Sequence, residues 1–138
     1  MNASYAYLMM SGASARTPAA RADDEGRLEI PANSAHRQAV VVASLGCVVA
    51  DFRQPGTVGP PAVTGPASVL VRPRRSRIVL CASGPARSGE PLEIGWNRPV
   101  RVVTHRDPSV QALATGRGLR LRITPGVEGV THRVMGTL

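Results

Sequence analysis

Apolar residues along this chain recur mostly at intervals of two, in short runs closed by glycine or proline, and that spacing predicts strands. The clearest run is residues 119–124, Leu-Arg-Leu-Arg-Ile-Thr, which puts the apolar side chains on one face and the arginines on the other. Arg101 alternates in the same way between Val100 and Val102. Strands are also expected at residues 27–30, ending at Pro31, and at 38–43 and 47–52 about a Ser44-Leu45-Gly46 turn. Another pair, 68–72 and 77–82, flanks Pro73-Arg74-Arg75-Ser76, and residues 91–95, 99–104, 110–114 and 130–135 complete the series. Residues 54–66 hold four prolines and three glycines, which predicts an extended loop without regular ladder pairing. No stretch after residue 26 repeats at helical spacing over three turns. The expected fold is all-β, a small barrel or sandwich of about eight to ten short strands over residues 27–138.

Residues 1–26 read differently. They are rich in Ala and Ser and end in Asp23-Asp24-Glu25-Gly26, so they are expected to be a flexible arm, unable alone to bury enough apolar surface to offset ordering entropy. Tyr5, Tyr7, Leu8, Met9 and Met10 stand out there as candidate partner contacts. Such a cluster is either an anchor for a neighbour or a short frayed helix.

Composition sharpens this outline. A length of 138 residues fits one domain plus a tail. The apolar fraction is mostly Val, Ala and Leu, with Phe52 and Trp96 as the aromatic residues outside the arm. Aromatic rings supply the largest buried areas, so a thin core completed by subunit contacts is expected. The net charge of +8 comes entirely from arginine, since lysine is absent. Residues 1–30 carry Arg16, Arg21 and Arg27 against Asp23, Asp24, Glu25 and Glu29, a net −1 that leaves +9 on the remainder. The excess fits either a GC-rich coding bias or recognition of anions by the bidentate guanidinium fork.

Candidate chemistry is sparse. His36, His105 and His132 lack metal-ligand spacing, and Cys47 and Cys81 lack close partners, so no zinc site or other cofactor is expected. The two cysteines read as buried free thiols in preference to a disulfide. His105-Arg106-Asp107 reads as a solvated turn, and Gly116-Arg117-Gly118 links two strands; the chain is not expected to be an enzyme. Apolar runs such as residues 39–43 are far too short for a membrane span, and the N-terminus lacks the basic start of a signal peptide. The densest basic patch is Arg72, Arg74, Arg75 and Arg77, suited to phosphates or to an acidic partner. Aromatic interleaving and a recognition helix are missing, so nucleic-acid binding by an arginine-rich regulatory module stands as the alternative reading.

Gly89-Glu90-Pro91-Leu92-Glu93-Ile94-Gly95, the valine strand over 99–104, the small-residue strand over 110–115 and the alternating strand over 119–123 together resemble the end of small β-barrel head-decoration proteins of tailed bacteriophages. That resemblance implies a structural virion protein, a capsid cement factor bound between major capsid subunits, often as a trimer. It implies a homo-oligomer on the capsid surface, or otherwise a cytoplasmic protein, with the arm and strand edges making the contacts.

Overall fold

The computed structural model describes residues 26–84, 89–124, 126 and 130–138, together with residues 12, 14, 16 and 20 of the preceding segment. Among these, twelve strands follow in chain order: β1 (Leu28–Asn33), β2 (Arg37–Val42), β3 (Cys47–Phe52), β4 (Gly56–Thr57), β5 (Pro61–Val63), β6 (Ala67–Arg74), β7 (Arg77–Ser83), β8 (Leu92–Trp96), β9 (Val102–Arg106), β10 (Val110–Ala114), β11 (Leu119–Ile123) and β12 (His132–Thr137). A single 3-10 turn, Ala43–Leu45, joins β2 to β3, and Gly46 closes it in the left-handed conformation. The strands form two antiparallel sheets, a seven-stranded one ordered β1-β2-β3-β6-β7-β12-β9 and a five-stranded one ordered β10-β11-β8-β5-β4.

Alternation explains why the sheets pack face to face. Along β6, Ala67, Val69 and Val71 are buried while Ser68, Leu70 and Arg72 are exposed. On β7 the buried set is Ile78, Leu80 and Ala82, and on β11 it is Leu119, Leu121 and Ile123. These inward rows meet Phe52, Ile94, Trp96, Val110 and Val134 in one core, so the fold is the sandwich rather than the barrel. Phe52 and Trp96 are 1% and 2% exposed, which places both large rings at the centre of an otherwise aliphatic interior.

Three sequence expectations are corrected. Pro31 does not end the first strand: β1 is an edge strand whose register shifts between Glu29 and Ala32, so the proline sits where a ladder donor is dispensable. The proline-rich segment is not free of ladder pairing, because β4 pairs with β5, and Pro61 opens β5 opposite Trp96 of β8. The last two affected strands begin later than their patterns suggest, at Val102 and His132, since Val100 instead forms an isolated bridge with Gly116. Cys47 and Cys81 are free, as expected, but half-buried on the outer face of the large sheet rather than inside it. Tyr5, Tyr7, Leu8, Met9 and Met10 lie outside the described residues.

Candidate functional site

The arginine patch forms the tip of the β6–β7 hairpin. Arg74 and Arg77 are direct cross-strand partners, Arg72 is opposite Val79, and the two residues between the strands are Arg75 and Ser76. All four arginine side chains are exposed, and Arg74, Arg75, Ser76 and Arg77 enclose a shallow hollow. Arg75 has φ 50, the left-handed region that a non-glycine residue enters at a cost of about 1–2 kcal/mol. The Leu138 N–H donates to the Ser76 carbonyl at 2.9 Å and Arg101 N–H to the Thr137 carbonyl at 2.8 Å. Thr137 pairs with Arg77 on one side and Val102 on the other, so exposed Arg101 reaches the same end of the sheet.

A second charged cluster lies on the outer face of the small sheet. Glu93 on β8 accepts from Arg122 at 2.7 Å and from Arg120 at 3.3 Å, both on β11. The hydrogen bond from Arg122 leads the influences that hold the Glu93 carboxyl below its ordinary pKa; desolvation opposes it, and the hydrogen bond from Arg120 with the charges of both arginines keeps the net direction downward. The alternating pattern put these arginines on one face of β11; the register adds a carboxylate from β8 within reach of both.

A third cluster surrounds the turn after β9. Ser109 Oγ and buried His132 Nδ1 are 2.6 Å apart, an arrangement that could suggest a nucleophile and base. Asp107 does not complete a triad, because its Oδ2 accepts from the Arg133 N–H at 2.7 Å and its Oδ1 lies 3.8 Å from His105 Nε2. The dyad therefore fastens a turn. Among the described residues no three His, Cys, Asp or Glu side chains converge as metal ligands.

Finally, the outer face of the large sheet carries an apolar row. Val40 pairs with Val49, Val49 with Leu70 and Leu70 with Cys81, crossing four adjacent strands. Val40, Val49 and Leu70 are 38%, 45% and 38% exposed, unusual for a solvent-facing sheet surface.

Residues 29–93 match the model of the polysaccharide lyase family 8 C-terminal beta-sandwich domain. The hyaluronate lyase of Thermasporomyces composti is 42% identical over 139 residues, a match covering all of this chain and 18% of that protein. A solved chondroitin AC lyase of Streptomyces coelicolor A3 is 50% identical with a TM-score of 0.89, over 92% of this chain and 17% of the other. The same enzyme solved in complex with chondroitin sulphate matches equally well. A Paenibacillus xanthan lyase, 21% identical with a TM-score of 0.82 over 91% of this chain and 12% of its own, shares the fold. The chain thus spans under a fifth of the relatives it matches.

These likenesses overturn the head-decoration expectation. The glycine-bounded run and short valine strands that suggested it occur in any small antiparallel sandwich, whereas the lyase match runs the length of the chain. The capsid partner, the oligomer on a capsid surface and the virion or cytoplasmic location fall with it. The expectation that the chain is not an enzyme is corrected too, since the proteins it resembles are polysaccharide lyases. Nothing in the comparisons supports the nucleic-acid alternative.

Proposed function

We propose that this chain forms the C-terminal β-sandwich of a polysaccharide lyase acting on an anionic polysaccharide of the chondroitin or hyaluronate kind. The observation that carries this is the 50% identity and TM-score of 0.89 to a chondroitin AC lyase across 92% of the chain. The sandwich serves as a supporting part, with cleavage carried out by the remainder of the enzyme. The Val40–Val49–Leu70–Cys81 row is the surface that the remainder covers, because the relatives extend far beyond the matched portion and an apolar row of this kind gains from burial. Residues 1–26 are the arm that leads into residues 27–138, with Tyr5, Tyr7, Leu8, Met9 and Met10 contacting the same remainder; the hyaluronate lyase likeness extends over them.

A domain exchange tests the proposal. In the Streptomyces coelicolor chondroitin AC lyase, the matched portion is replaced by this chain, and chondroitin sulphate cleavage is followed through the ultraviolet absorbance of the unsaturated product. The exchanged enzyme is expected to cleave at a rate within about an order of magnitude of the parent, while the enzyme with that portion deleted is impaired. An exchange no more active than the deletion contradicts the proposal.

A further inference from the structure

We propose that the β6–β7 tip is an anionic-polysaccharide-binding site in its own right, in which Arg72, Arg74, Arg75 and Arg77, flanked by Arg101, hold carboxylate or sulphate groups along a glycan chain. The choice of glycan rests on the lyase reading; the existence of an anion site rests on the tip itself.

Three observations support it. The first is the lack of carboxylate partners among the described residues. Elsewhere Arg120 and Arg122 are paired with Glu93, Arg37 donates to the Thr57 carbonyl and Arg106 to the Val110 carbonyl. Among the described residues no carboxylate pairs with any of the four tip arginines, and Asp51 and Asp107 sit at the opposite end of the large sheet, beside Ser68 and Arg133. The second is unfavourable local structure. Like charges face each other at Arg74 and Arg77, and Arg75 occupies a left-handed turn position where glycine would be easier. Among the described residues no carboxylate compensates these, which is the pattern expected where a bound anion does. The third is span. Arg74 to Arg101 crosses β6, β7, β12 and the approach to β9, about 14 Å at ordinary strand spacing, which suits repeated anions on a polymer better than one small ion. Guanidinium groups are suited to bidentate contact with planar carboxylates and with sulphate oxygens.

A nucleic acid is also a polyanion, but Phe52 and Trp96, the aromatic side chains among the described residues, are both buried, so no platform for stacked bases accompanies the arginines.

The test is binding of the full 138-residue chain to immobilised chondroitin sulphate, hyaluronate, neutral dextran and single-stranded DNA across a salt series. The site predicts retention on chondroitin sulphate that weakens with salt, no retention on dextran, and DNA bound more weakly than chondroitin sulphate at equal charge. Retention on hyaluronate as well assigns the carboxylate as sufficient; its absence assigns the sulphate. Arg74→Gln, Arg75→Gly and Arg77→Gln together should cost on the order of 10-fold in affinity, with the melting temperature checked in the same samples. Arg120→Gln with Arg122→Gln removes two charges on another face, and the pair Arg74→Gln with Arg77→Gln is its charge-matched comparison; the Arg120/Arg122 variant should cost less than about 3-fold. Unchanged affinity in the tip variant, an equal loss in the Arg120/Arg122 variant, or stronger binding to DNA overturns the site. A domain-exchanged lyase that stays active while the tip proves silent sinks this site alone; tip binding with an inactive exchange sinks the lyase reading alone.

Discussion

Ser109 Oγ lies 2.6 Å from His132 Nδ1 and ties the turn before β10 to the first residue of β12. The Thr124 N–H donates to the Ser109 carbonyl, so three segments at this end of the sandwich depend on one serine. Ser109→Ala leaves the buried imidazole nitrogen without its partner, a loss of about 1–3 kcal/mol. Urea denaturation should show a lower midpoint with an unchanged slope; a midpoint equal to the parent's would show the contact to be idle.

Gly136 is a second point of tight dependence. A Cβ there would stand 2.9 Å from both Val100 Cγ1 and the Val102 carbonyl oxygen, inside the register shift where β12 passes β9. Gly136→Ala forces one of these apart and is expected to destabilise the fold by roughly 1–3 kcal/mol, read as a fall in melting temperature. Gly126→Ala, with no atom within 4 Å of its added methyl, is the control and should leave the melting temperature unchanged.

The strand pattern was legible where one face is consistently polar. In β11 the arginines mark the outer face, and its expected and observed bounds agree to within one residue. It was least legible where proline intervenes, because whether Pro31 and Pro61 break a ladder depends on edge position and partner, and neither is local in sequence. The same reasoning separates the clusters. The tip arginines are neighbours along the chain and could be named in advance. Glu93 meets Arg120 and Arg122 across 27 and 29 residues, and the Val40–Val49–Leu70–Cys81 row draws on four strands, so both needed the register. In a run such as Val40-Val41-Val42, hydrophobicity cannot say which side chain faces in. The lyase relationship had no short motif in this chain, and strand periodicity is common to all sandwiches.

Arg75 allows folding and binding to be told apart. Arg75→Gly relieves the left-handed backbone while adding freedom to the unfolded chain, so stability should stay level or rise by up to about 1 kcal/mol. A calorimetric melt checks this. A clear drop in melting temperature would mean that the guanidinium itself holds the turn.

Glu93 gives a pH signature. Its carboxyl is held below the ordinary value chiefly by the Arg122 hydrogen bond, so its stabilising contribution is present above the unfolded-state pKa and is lost as pH falls through the folded-state pKa. Because the cluster is on the surface, the effect should be small and screened by salt. Stability measured through the acid range should fall more shallowly for Glu93→Gln than for the parent; parallel curves would show that the cluster contributes nothing.

As proposed above, this sandwich is the supporting part of a polysaccharide lyase, covered along the outer face of its large sheet. Calorimetry on the domain-exchanged chondroitin AC lyase tests it most directly. One cooperative transition well above that of the isolated chain is expected, lowered by several degrees when Leu70→Asp and Val49→Asp are introduced on the exposed row. A separate transition at the temperature of the isolated chain, indifferent to those two substitutions, would contradict it.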